Sequence, residues 1–536
     1  MKTLTSLFAA LFVSAVCHGV DGIAETSEDM TSHGDWEVTV SAGESNVVVA
    51  AQGGAGRIIK KGEGCLVLRK NSTFTGGVEI REGFVLVDPD SEAGTSGTVN
   101  STALGIGPVT VCGQTDYWQG YCELGIVGAG SNDTRIVTIA NDINVTGTSS
   151  GAYPALTIYG QNVEITGKIT AAADFVFIDD LNSTTAISKS QWNRWQKVQS
   201  CTFGEIEAAG SVGFSGLCRM AFKGKVKTPR FDLCIQREMR PGDDDKPNQN
   251  NMHGALVFHA VNEIGEIIDA NRPVYCAADN VLPGTLFRHV KKPNGLSLYT
   301  FAFLYTHGYD GQAYSQTIGG LSSDPLYDNE EISTGYKYEW YVSGAGSKIL
   351  AITGEPPDDG ADSKELVTSV PLKGSMSIEI DAYDGFTQTV SNQTHSMDGA
   401  IKVKRGGFRV AGTARFSAVK NISVGESASL DIASTNEEPF PSLKSISVDG
   451  ILKVSDESAG CNLLEGVSLT LGSDASLVLP QSSTQTVDVL FFDGKPVLPG
   501  VYTAETLPCL NAGATLLVFS IDQGSTAVWT GAADGD

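Results

Sequence analysis

Three very short apolar strands set between closely spaced glycines, in residues 58–87 (IIKKGEGCLVLRKNSTFTGGVEIREGFVLV), constrain this chain more than any other stretch. Leu66 and Leu68, Val78 and Ile80, and Val85 and Val87 are each two positions apart, so each pair turns to one face of a strand. Gly62, Gly64, Gly76, Gly77 and Gly83 mark the turns between them. A strand of about three to five residues buries too little apolar surface to offset its ordering entropy, so such a unit is stable only when another stacks upon it.

The same texture recurs along the chain. From Trp36 to about Asp180, short strands alternate with Gly, Asn, Asp and Ser: VTV at 109–111, LGIV at 124–127, RIVTIA at 135–140, ALTIY at 155–159, VEITGKIT at 163–170 and FVFID at 175–179. No window there spaces apolar residues at three and four over a helix's length. Composition changes after Ser190 and again after Ile352. Nine of the fifteen tyrosines fall between Tyr275 and Tyr341, in strands such as LYTFAFLYT (298–306), where Tyr299, Phe301, Phe303 and Tyr305 share a face, and YKYEWYV (336–342). This segment, 190–352, predicts an antiparallel β-sandwich or jelly roll. GEPPDDGADS (354–363) reads as a linker. Over 364–525 the short-strand units return in degenerate copies, FRVAG, ASLDIA, SISVDGILKVS and VSLTLGSDASLVLP, before an acidic tail at 526–536. The expected fold is all-β: a right-handed parallel β-helix, or solenoid, over 30–185 and 364–525, interrupted by the antiparallel insert.

The order Lys60, Lys61, Gly62, Gly64, Leu66, Leu68, Asn71, Phe74, Gly76, Gly77, Gly83, Leu86, Val87 resembles the autotransporter-associated β-strand repeat. The segment VDVLFFDGKPVLPGVYTAETLP followed by AGATLLVF resembles the closing segment of proteins that carry this repeat. The resemblance implies a bacterial, secreted or surface-displayed parallel β-helix, uncharacterised or adhesive, and it brings no catalytic residues. Ten-residue amphipathic strands of a membrane barrel do not follow, so a passenger without its own translocator is expected.

Export is also read from the first residues. Lys2 precedes the apolar run Leu4 to Val16, which has the length of a signal-peptide core and is too short to span a bilayer. A signal peptide over 1–19 is expected, with cleavage after Ala15 or Gly19. No later run of eighteen apolar residues occurs, so no transmembrane segment is expected beyond the signal. With Lys plus Arg 37 against Asp plus Glu 62, the formal charge of −25 repels nucleic acid and anionic headgroups, which excludes both as partners. Of the ten cysteines, Cys17 lies in the signal, leaving an odd number. Cys112 and Cys122 are the candidate local disulfide; burial as small apolar side chains serves equally for each.

Candidate chemistry is sparse. Asp179 and Asp180 end a strand, but neighbours on a strand face opposite ways and cannot converge as an acid–base pair. The run Asp243, Asp244, Asp245 offers oxygen ligands of the kind Ca²⁺ takes, without EF-hand spacing, and no other cofactor is implied. His253 and His259 flank ALVF and could meet that run. Trp192, Trp195 and Trp340 are the aromatic residues expected to reach solvent and bind glycan, because tyrosine and indole rings pack on sugar rings while their polar edges hydrogen-bond. The expected function is an exported, non-enzymatic adhesin or structural stalk that engages extracellular polysaccharide or other cell-surface components through the central segment. The alternative is a polysaccharide-active lyase or glycosidase carrying a carbohydrate-binding insert.

Overall fold

The computed structural model describes residues 22–89, 97–112, 122–129, 135–149, 155–179, 199–215, 219–233, 255–269, 273–290, 304–308, 310–323, 342–356, 361–458 and 463–520. Among them the chain is all-β, with strands paired mainly in parallel and only single 3-10 turns at Thr31–His33 and Asp456–Ser458. No described helix is long and apolar enough to cross a membrane. Two compact units are formed, one from residues 1–312 with 331–339, the other from 313–330 with 340–536.

In the first unit the chain alternates between two parallel ladders from Trp36 to Val87, and from Thr98 to Phe222 it visits three in rotation. One runs Glu44–Val48, Cys65–Leu68, Gly83–Val87, Cys122–Val127, Leu156–Tyr159, Phe175–Asp179, Val212–Ser215. A second runs Trp36–Thr39, Ile58–Lys61, Val78–Ile80, Val109–Val111, Ile143–Val145, Ile169–Ala171, Ile206–Ala208. The third runs Thr98–Asn100, Ile136–Ile139, Val163–Ile165, Gln199–Phe203, Arg219–Phe222, Leu256–Phe258, Val274–Cys276, Leu304–Tyr305. Parallel in-register pairing stacks equivalent side chains from circuit to circuit. Leu66, Val85, Leu124, Leu156, Phe177 and Phe214 form one buried column. Further on the core turns aromatic: Phe203 stacks on Phe222 at 5.4 Å, and Phe222 on Phe258 at 4.9 Å.

The strand Cys65–Leu68 is buried on both faces, as is Gly83–Val87. On the side opposite Leu66 and Leu68, Val47, Cys65, Val67, Phe84, Leu86 and Tyr159 make a second apolar cluster. Phe84 leans over Gly125, where any side chain would collide with its ring.

Lys60 is the exception within a column of apolar side chains, lying in register between Val38 and Ile80 and fully buried. Its ammonium donates to the carbonyls of Lys61 (2.9 Å), Gly62 (2.5 Å) and Glu82 (3.1 Å), which matches three N–H groups with three acceptors. The lysine therefore ties the turn after its own strand to the turn of the next circuit. Burial lowers its pKa to about 8, with Cys65, Glu82 and Cys122 pulling upward. Lys60→Met is expected to destabilise this unit by about 1–3 kcal/mol at pH 7, because the carbonyls lose their donor. Between pH 8 and the unfolded value of 10.5, only the unfolded wild-type chain holds the lysine proton, so wild-type stability rises through that window and the gap to the variant widens. Urea denaturation at pH 7 and pH 10 reads both effects; a gap independent of pH would show that the buried amine keeps an ordinary pKa.

The strands from Gln199 to His289 were expected to form an antiparallel insert. They are instead parallel, as is every described pairing over 190–352, so that expectation is corrected. Strict alternation of apolar and polar residues reports a sheet with one buried face, and it reads the same for either strand direction.

The second unit repeats the principle, at first with longer strands and then with strands of four residues. Leu372–Asp381, Ile401–Gly412, Asn421–Ser434, Ser445–Val448, Ser468–Leu471 and Val489–Phe492 follow one another in parallel, stacking Ile378, Ile401, Ile422, Ile446, Leu469 and Leu490. At its end the direction reverses: Lys495–Pro496 folds back antiparallel on Val489–Phe492, and Gly500–Tyr502 pairs antiparallel with Thr515–Val518.

Candidate functional site

The third ladder of the first unit carries the aromatic side chains that best suit a surface site. Val274 and Leu304 are in register and buried, so the next residues, Tyr275 and Tyr305, turn to the opposite face. Their rings lie at 4.4 Å with an interplanar angle of 2°, each half-buried. His307 meets both edge-on, at 5.9 Å from Tyr275 and 4.8 Å from Tyr305, and its Nδ1 lies 2.9 Å from the Gly308 carbonyl. The stack covers one face of each tyrosine ring.

A second column lies two positions further along the strands, beginning on the circuits before this pair. The backbone N–H groups of Lys223, His259 and Ala277 donate in turn to Phe203, Phe222 and Phe258, placing the three at equivalent positions of successive circuits. Lys223 and His259 are exposed, and Lys223 lies 3.5 Å from Glu164. The pKa of His259 is lowered, first by partial desolvation and then by the positive charges of Lys223 and Arg219, against the pull of Asp310, so the imidazole is neutral at pH 7.

Of the residues expected from sequence, Trp192, Trp195, Trp340, Asp243, Asp244 and Asp245 lie outside the described residues, with His253, Asp180, the signal 1–19 and the tail 526–536. Among the described residues no group of three or more His, Cys, Asp or Glu could hold a metal ion. No disulfide joins Cys112 to Cys122. Cys112 follows the strand Val109–Val111 of the second ladder, whereas Cys122 opens a strand of the first, in register with Gly83. Burial raises the pKa of the Cys112 thiol, which disfavours the reactive thiolate.

Sequence reasoning named the aromatic segment but not Tyr275 with Tyr305. Only the Val274–Leu304 register brings these distant residues together. Compared with protein-family models, with curated proteins and with solved structures, the chain matches none.

Proposed function

We propose that this protein is an exported, non-enzymatic surface protein, a right-handed parallel β-helix of the autotransporter-associated repeat type, that serves as an adhesin-like stalk and binds extracellular polysaccharide along its flank. The rotation of the chain through three parallel ladders supports the β-helix reading. The Tyr275–Tyr305–His307 strip carries the binding reading: half-exposed aromatic side chains at strand spacing give an extended polymer a repeating set of contacts.

The test is affinity electrophoresis of the intact chain through gels containing a panel of plant, algal and bacterial polysaccharides. Retardation by at least one polymer is expected, and Tyr275→Ala with Tyr305→Ala together should weaken it about tenfold, which corresponds to about 1.4 kcal/mol. Release of reducing or unsaturated ends from a retained polymer would overturn the non-enzymatic reading in favour of a lyase or glycosidase.

A further inference from the structure

We propose that the second unit carries a further docking face, for an acidic polysaccharide, where Lys420 and Lys444 border the outward hydroxyls of Asn421–Ser434, Ser445–Val448 and Ser468–Leu471. This face is separate from the tyrosine strip, and neither depends on the other.

The segment from Gly399 to Gly425 holds six basic residues, Lys402, Lys404, Arg405, Arg409, Arg415 and Lys420, and no Asp or Glu, in a chain whose formal charge is −25. Four of them are engaged by carboxylates: Lys404 by Glu379, Arg405 by Asp381, Arg409 by Asp431 and Arg415 by Glu438. Lys402 lies in register with Glu379, but that carboxylate is the one Lys404 holds, so two lysines share one negative charge. Lys420 and, one circuit on, Lys444 are exposed and form no ion pair among the described residues. The backbone N–H of Lys444 donates to the Lys420 carbonyl, which sets the two lysines on adjacent strands, about 4.8 Å apart. Asp398 and Glu465 lie in the turns on either side, and no described ion pair joins them to either lysine. At physiological salt, charge is screened over about 8 Å, so a ligand on this face meets the lysines before it meets the net charge of the chain.

The sheet beside the lysines supplies the rest of the surface. Ile422, Ile446 and Leu469 are buried in one column, so their neighbours turn outward: Asn421, Ser445 and Ser468 in one row, Ser423, Ser447 and Thr470 in the other. These positions hold no carboxylate, whereas outward positions of other strands hold Glu79, Glu164, Glu207 and Asp431. Ser445 donates to Asn421 Oδ1 at 2.8 Å, which leaves the Asn421 amide N–H groups to another acceptor. An acidic polysaccharide presents hydroxyl and ring oxygens along its length and a negative group at intervals. Hydroxyl and amide groups repeating at strand spacing match the first, and the two ammonium groups match the second. No apolar or aromatic side chain lies among these outward positions to take a lipid chain or a nucleic-acid base.

Affinity electrophoresis of the intact chain compares dextran, carboxymethyl-dextran and dextran sulfate, which share a backbone and differ in charge. Retardation by the two acidic polymers is expected to exceed that by dextran about tenfold, and to fall as salt is raised from about 50 to about 300 mM. Lys420→Gln with Lys444→Gln should weaken acidic-polymer binding about five- to tenfold at unchanged Tm, since neither side chain holds an ion pair. Lys453→Gln in the same unit, where Asp431 lies 3.6 Å from the amine, is the charge control and should leave binding within about twofold. Tyr275→Ala with Tyr305→Ala should leave it equally unaltered. Equal retention of dextran and its acidic derivatives overturns the assignment, as does undiminished affinity in the lysine double variant. An equal loss in Lys453→Gln also overturns it, because bulk charge would then be responsible, and so does duplex DNA retained as strongly as the acidic polysaccharides, because any polyanion would then serve. Loss of acidic-polymer binding in the tyrosine variant alone overturns this face while leaving the glycan reading of the strip standing. Retention of neither acidic polymer overturns this face whatever the wider panel shows.

Discussion

Gly64→Ala is expected to destabilise the N-terminal unit by about 4 kcal/mol or more, enough to abolish its cooperative unfolding transition. A Cβ built at Gly64 would lie 2.1 Å from the Ser41 carbonyl oxygen and 2.8 Å from that of Glu44, both backbone atoms of the preceding circuit. Neither can move aside without separating Glu44–Val48 from Cys65–Leu68, which are held in register over four residue pairs. Gly284→Ala is the control: its φ of +68° strains any side chain, but nothing lies within 4 Å, so a cost of about 1–2 kcal/mol is expected. Urea denaturation followed by circular dichroism compares the two. If Gly64→Ala unfolds no earlier than Gly284→Ala, successive circuits are not packed as closely as described.

The second large effect is acid sensitivity at His395. This imidazole is buried, stacks on Phe416 at 4.4 Å, and accepts the Leu372 backbone N–H at Nδ1 over 3.1 Å, while its Nε2 has no hydrogen-bond partner. Phe416 stacks in turn on Phe440 at 5.2 Å. Burial lowers the pKa to about 3 from 6.5. Below 6.5 the unfolded chain takes up a proton that the folded chain refuses, so stability falls with pH through the window from 6.5 to 3. By pH 4.5 the loss from this one residue is expected to reach about 2–3 kcal/mol. His395→Phe extends the phenylalanine stack and removes that dependence, but costs about 1–2 kcal/mol at pH 7 by leaving the Leu372 N–H without its acceptor. Melting curves of the two proteins should therefore cross near pH 5, wild type being the more stable above it. Parallel curves from pH 7 to pH 4 would mean that the ring titrates normally.

Much of the fold is legible in the residues because each strand's burial pattern is local. Leu66, Leu68, Val78, Ile80, Val85 and Val87, paired by spacing alone, are all buried, and the strands expected at 109–111, 163–170 and 175–179 form at those places. Strand direction over 199–323 is not legible, because alternation carries no sign. Nor is the second cluster around Phe84, since Val67 and Leu86 gain a covered outer face only from what surrounds the sheet. Lys60 reads in sequence as a solvated charge, and its burial becomes intelligible only when the carbonyls of two turns converge on it. For the strip, the sequence supplies tyrosines in abundance, but which of them meet depends on a register set by Val274 and Leu304.

The reversal of direction at the end of the second unit bears on self-association. A stack of parallel, in-register strands is a template: its last strand offers a row of amide and carbonyl groups to any copy of the same sequence, the geometry from which fibrils grow. Here the strand laid along Val489–Phe492 is Lys495–Pro496, antiparallel and two residues long. Proline has no N–H to donate and lysine places a charge at the rim. A second molecule therefore finds at this strand neither the direction nor the donors needed to continue the pattern.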